Sequence, residues 1–166
     1  MPPVVPSLGD TLVRLLRQRG VTVYANIPLL AFINDAGSDM LSLTSALRRK
    51  GIELNHLVLA GMPLQRNWSE EHPIHLAQVI DLASHLREFG SGRELPGYIL
   101  RTSLGEVDFG LSCDVLQTLE SGDTPVRLRT HALDEYRAMD PAFEPPPGAV
   151  FGDDGHPVAS IRGVMA

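Results

Sequence analysis

The stretch from Val21 to Leu64 leaves a chain of this kind few folds to choose from. Val21 to Ile33 is a nearly continuous apolar run with β-branched and aromatic members, the composition of a strand buried on both faces. Asn34-Asp35-Ala36-Gly37-Ser38-Asp39 is a turn that runs into a helix start, and Met40, Leu41, Leu43, Thr44 and Leu47 then recur at helical spacing. Arg48, Arg49 and Lys50 suit the carbonyl end of a helix dipole, Gly51 is the stop, and Ile52 to Leu59 is a second strand. A strand–helix–strand unit of this length makes a parallel crossover, right-handed in nearly every case. Ligands of such units bind beyond the carboxyl ends of the strands, here Asn34-Asp35 and Gly61-Met62-Pro63.

A helix over Leu8–Arg19 precedes this unit, with Leu12, Leu15 and Leu16 as its apolar stripe, and Met1 to Pro6 is extended. The chain thus opens in the middle of an alternating pattern. After the second strand, Pro63 to Pro73 reads as a polar loop carrying Trp68. Ile74 to Phe89 is a helix on the spacing of Leu76, Val79, Ile80, Ala83 and Leu86; Leu95 to Leu100 is a third strand, and Glu106 to Ser112 alternates like a half-exposed one. From Asp114 the texture changes. Val115 to Leu119 is a short helix or turn, Pro125 to Thr130 a strand, Leu133 to Met139 a helical turn, and Val150 to Ile161 a β-hairpin around Asp154-Gly155.

Composition narrows the function. No apolar run approaches the roughly 18 residues that span a membrane. The first ten residues lack the basic and apolar segments of a secretory signal, and a single cysteine, Cys113, suits a reducing cytoplasm. A net charge of −6 argues against a general nucleic-acid binder. Of 14 basic residues only Lys50 is lysine, so an imine-forming mechanism must use Lys50 or borrow an amine.

Several residue groups are candidates for chemistry. Asn34-Asp35 at a strand's carboxyl end either hydrogen-bonds a ligand such as a nucleoside or forms an Asx-turn that caps the next helix. His72 and His75, with Glu70 and Glu71, offer nitrogen and oxygen donors to a metal, with His56 or His85 as a third ligand. Pro73 between the two histidines instead favours solvated loop positions at a helix start. Arg93, Glu94, Arg101, Glu106 and Asp108 surround the third strand, where Arg101 could grip a carboxylate or phosphate; surface ion pairs are the commoner outcome. Ser112-Cys113-Asp114 has no identifiable base, and Cys113 is read as structural.

Asn26, then Leu29-Leu30 and Phe32-Ile33-Asn34-Asp35, resemble the L-L-x-G-x-N-D strand of radical S-adenosylmethionine enzymes of the lysine 2,3-aminomutase type. Gly51-Ile52-Glu53 looks like that family's step into the next strand, and Leu95-Pro96-Gly97-Tyr98-Ile99-Leu100 like its V-P-x-Y-V-V strand. The match runs in order over roughly residues 10 to 110 and corresponds to the later half of the family's partial (βα) barrel. The departures are chemical. The three-cysteine motif for a [4Fe–4S] cluster is absent. A substrate-binding aspartate of the family aligns with Gly61 and a second aspartate with Arg101. The glycine run and pyridoxal-phosphate lysine align with Ser103 to Asp108, and the first strand's usual glycine is Phe32.

The resemblance therefore implies an α/β fold: half of a partial (βα) barrel with parallel strands over residues 1–113, then a small β-rich extension over 114–166. It implies a substrate-side wall that is not catalytically competent alone, as part of a longer polypeptide or as a degenerate relative. S-adenosylmethionine and the [4Fe–4S] cluster belong to a full-length relative, and pyridoxal phosphate is not expected. Asn26, Asn34 and Asp35 are the expected cofactor-side residues, and His72 and Arg101 the expected substrate-side residues; neither metal ligands nor catalytic residues are expected. The partner expected is the missing amino-terminal barrel half or a second copy. The alternatives are a non-enzymatic module that binds a partner along an open strand edge, or a small metal-dependent hydrolase using His72 and His75.

Overall fold

The computed structural model describes residues 7–92, 95–102, 104–109, 113–115 and 125–160. It is a mixed α/β structure with one four-stranded, mostly parallel sheet and one small antiparallel sheet. The first sheet contains β1 (Val23–Pro28), β2 (Ile52–Ala60), β3 (Gly97–Thr102) and β4 (Gly105–Asp108), in that spatial order. β1, β2 and β3 are parallel, and β4 returns antiparallel to β3. The helices are α1 (Leu8–Gln18), α2 (Gly37–Lys50), α3 (Pro63–Glu71) and α4 (Leu76–Phe89). Parallel neighbours need a crossover, and α2 supplies it between β1 and β2, α3 and α4 between β2 and β3.

Pairing register sets which side chains share a face. Ile27, Leu57 and Tyr98 stand side by side, as do Leu100 and Val107. They lie in or against one apolar cluster with Met40 of α2 and Val79, Leu82 and Leu86 of α4. Each fully buried leucine of this set is worth about 1.5–3 kcal/mol of transfer free energy. On the opposite face of β1 and β2, Tyr24, Asn26 and Glu53 stay exposed.

The second sheet has the order β5-β6-β8-β7, from β5 (Cys113–Val115), β6 (Pro125–Leu128), β7 (Val150–Phe151) and β8 (Pro157–Ser160), with α5 (Leu133–Met139) between β6 and β7. Gly155 at φ 75 turns the β7–β8 hairpin, where the Gly152 N–H donates to the His156 carbonyl at 2.9 Å. Val126, Leu128 and Ala159 join the same apolar cluster as the first sheet, so the buried interior crosses the expected boundary at 113/114.

Four expectations need correction. The apolar run Val21–Ile33 is not one strand: pairing along β1 ends at Pro28, and Leu29, Leu30 and Ala31 are buried as the chain turns out of the sheet. Pro63–Pro73 is not a loop, because α3 occupies Pro63–Glu71. Proline fits the first helical position, and the residues α3 buries are Gln65 and Ser69, which carry no apolar periodicity. Ile80 is exposed and Leu82 takes its place in the buried stripe of α4. Val115, expected to open a helix or turn, is instead paired with Val126 in β5. The proline-rich start at 1–6, Arg93, Glu94, Ser112, residues 116–119 and the side chains of Cys113 and Asp114 lie outside the described residues. Among the described residues no helix is long and apolar enough to cross a membrane.

Candidate functional site

The carboxyl ends of β1, β2 and β3 meet on one rim of the sheet. At β1 the chain leaves through a turn in which the Ile33 and Asn34 N–H groups both donate to the Leu30 carbonyl at 3.2 Å. The Asn34 amide closes it from both sides: Oδ1 accepts from the Leu30 N–H at 2.8 Å and Nδ2 donates to the Pro28 carbonyl at 3.0 Å. Asp35 accepts from the Phe32 N–H at 3.1 Å through Oδ1 and from Gln78 Nε2 at 3.1 Å through Oδ2. Both side chains therefore hold the turn. Asp35 does not cap the following helix, whose N-cap is Ala36 without a side-chain bond.

The turn carries the one non-glycine residue with positive φ among the described residues. Phe32 has φ 62 and is 80% exposed. A bulky side chain in the left-handed region costs of order 1 kcal/mol or more, and such outliers gather at functional sites. Its ring meets His72 edge-on at 5.5 Å, and His72 in turn lies 4.7 Å from the Trp68 ring. Trp68 Nε1 donates to the Ala31 carbonyl at 3.0 Å, tying α3 to the turn. Phe32→Gly should relieve the backbone strain and, despite losing the ring contact, leave the protein as stable or more stable by up to about 1 kcal/mol. Chemical denaturation checks this, and a clear loss of stability would mean that the aromatic contact outweighs the strain.

Gln65 is the residue sequence reading missed. It is fully buried, and its Nε2 lies 3.1, 2.7 and 3.1 Å from the carbonyls of Leu29, Val58 and Leu59, while Oε1 accepts from the Met62 N–H at 3.1 Å. One amide side chain thus bridges the ends of β1 and β2. The available signal was Pro63 followed two residues later by Gln65, the spacing of a first helical position and a side chain that reaches back to the N-cap.

At the next rim position Gly61 has φ 97, and a Cβ there would collide with the Arg101 backbone carbonyl. The backbone of β3 occupies the space a side chain at this position would need. Arg101 Nε donates to Glu106 Oε1 at 2.6 Å across the β3–β4 ladder. Both side chains are a third to a half exposed, so this is the surface pair considered above, worth at most about 1 kcal/mol. Asn26 lies farther back on β1, where Oδ1 accepts from Asn55 Nδ2 at 3.2 Å.

The histidines do not gather. His72 closes α3 and His75 precedes α4, while His56 sits on β2 beside Gly97 and His85 lies against Gly37 and Phe89. Among the described residues no three His, Cys, Asp or Glu side chains are placed to hold a metal. Lys50 is at the other end of the sheet, its Nζ 2.7 Å from Asp10 Oδ1. Burial pushes the Tyr98 phenol upward, against a weaker opposing pull from Arg87.

The fold and rim define an α/β protein whose parallel strands present a polar, aromatic-edged rim at their carboxyl ends. Neither a protein-family model nor a curated protein matches the chain.

Proposed function

We propose that this chain is the substrate-side half of a barrel of the radical S-adenosylmethionine aminomutase type, completed along the free edge of β1 by a cluster-bearing half, and not a catalyst by itself. The observation that carries the reading is Phe32. The resemblance rests on residue letters alone and aligns this position with a glycine; independently, the backbone here has φ 62, the conformation glycine favours. The strand order supports it further, since β1, β2 and β3 are parallel and adjacent in chain order, as successive βα units of a barrel are.

The completing half would meet β1, which has no strand on its outer side among the described residues. Next to it α1 buries none of its residues and exposes Leu8, Leu12 and Leu15 at 88%, 55% and 51%. An open strand edge beside an apolar helix face is a surface that other chains cover. Cys113 alone cannot hold an iron–sulfur cluster, so the donor set of this chain does not fit that group. In this reading Asn26, Asn34 and Asp35 border the nucleoside, the last two by shaping the turn, and His72 and Arg101 border the substrate. The second reading, a non-enzymatic module that binds a partner on the same edge, is favoured by the exposed α1 face.

Anaerobic mixing with a cluster-bearing half, after treatment with iron and sulfide, separates the two. The isolated chain should stay colourless and leave S-adenosylmethionine intact, and mixing it with a cluster-bearing amino-terminal barrel half should yield 5′-deoxyadenosine. Leu12→Glu with Leu15→Glu, at positions already exposed, should abolish both association and turnover. Association without 5′-deoxyadenosine would favour the partner-binding module, and cleavage by the isolated chain would overturn the proposal.

A further inference from the structure

At the amino ends of β1 and β2, opposite the rim described above, lies a cleft of about 380 Å³. Arg17, Thr22, Arg48 and Glu53 line it together with Val21 and Ile52. A second groove of about 450 Å³, lined by Arg14, Arg17, Gln18 and Lys50, shares Arg17 with it. Four cations thus collect in one corner of a chain whose net charge is −6. The helix dipole accounts for basic residues in the last turns of α1 and α2. It does not account for the two helices ending at the same cleft.

The cations differ in what they already hold. Lys50 is engaged by Asp10, whose carboxyl is drawn below its ordinary value chiefly by that bond. Arg48 donates from Nη1 to Ser91 Oγ at 3.1 Å. Arg17 makes no side-chain hydrogen bond or ion pair among the described residues, although Glu53 lines the same cleft. Its guanidinium lies against the left-handed turn at Gly51, where a Cβ would collide with it. A guanidinium presents up to five donors in a planar fork that matches phosphate oxygens.

We infer that this cleft binds a small phosphate monoester, with Arg17 gripping the phosphate, Arg48 closing one side and Val21 and Ile52 covering the apolar body of the ligand. The volume is at the lower end for small-molecule sites, which begin at about 300 Å³. Glu53 on the lining disfavours longer polyphosphate chains, because a further negative charge would meet a carboxylate. The site is independent of the barrel reading, since it lies at the other ends of the strands.

The test is calorimetric titration of the full chain at low salt with inorganic phosphate and with glycerol 3-phosphate. Both should bind saturably, the ester more tightly, and binding should weaken as salt rises from about 0.05 M to about 0.5 M. Arg17→Gln should weaken binding by about tenfold or more, and Arg17→Lys by less, because it keeps the charge and loses the fork. Arg66→Gln removes the same charge from α3 at the opposite rim and should change nothing. Absence of saturable binding, or equal weakening by Arg66→Gln, would overturn the proposal. Unchanged thermal unfolding of Arg17→Gln would confirm that the loss is one of binding, and unfolding at lower temperature with normal affinity at low temperature would count against the site.

Discussion

Gln65→Leu should lower the free energy of unfolding by about 3 kcal/mol, the larger part of it from polar groups left behind. Leucine fills most of the volume, so the cavity contribution is small. The Leu29 and Leu59 carbonyls and the Met62 N–H lose the amide that now meets them, while the Val58 carbonyl keeps the Leu29 N–H at 2.9 Å. A buried backbone group without a partner costs about 1–3 kcal/mol, and two or three such groups set the estimate. The loss should appear in urea unfolding as a lower midpoint at unchanged slope. A loss below about 1 kcal/mol would mean that water replaces the amide and that the strand ends do not depend on α3.

Gly61→Asp should cost about 3 kcal/mol or more and should not create a substrate carboxylate, although it restores the residue the resemblance leads one to expect. Two effects add. A φ of 97 is unfavourable for any side chain, at about 1–3 kcal/mol, and the Cβ would run into the Arg101 backbone carbonyl, which cannot swing aside as a side chain could. Gly61→Ala carries the same Cβ and should therefore cost nearly as much, which separates sterics from charge. If Gly61→Ala were neutral in thermal unfolding, the close approach of β2 and β3 would not be a constraint.

Much of the fold was legible because it follows from periodicity and punctuation. α2 shows Met40 and Thr44 one turn apart, basic residues in its last turn and Gly51 in the left-handed cap, and β2 ends in a buried apolar run over 57–60. The β7–β8 hairpin was legible from Asp154-Gly155. α3 was hidden because it attaches by hydrogen bonds from Gln65 and Trp68 rather than by an apolar stripe, and pattern reading weighs only the latter. The candidate site was legible as a place, the rim beyond Asn34 and Gly61, but not as chemistry. Asn34 and Asp35 have the same letters whether they bind a ligand or hold a turn, and only atomic positions separate the two.

What the amino-acid order determined by itself is local: where helices stop, which residues face inward along one element, and that Cys113 is the single cysteine and Lys50 the single lysine, none of which depends on distant partners. What the tertiary structure decided is who meets whom. It set the β3 backbone where a Gly61 side chain would go, brought Arg17 and Arg48 to one cleft and left the α1 leucines uncovered. The reason is that such meetings join residues far apart along the chain, through strand register and helix crossover. A one-residue change in register would turn the same side chains to the other face without altering any local pattern.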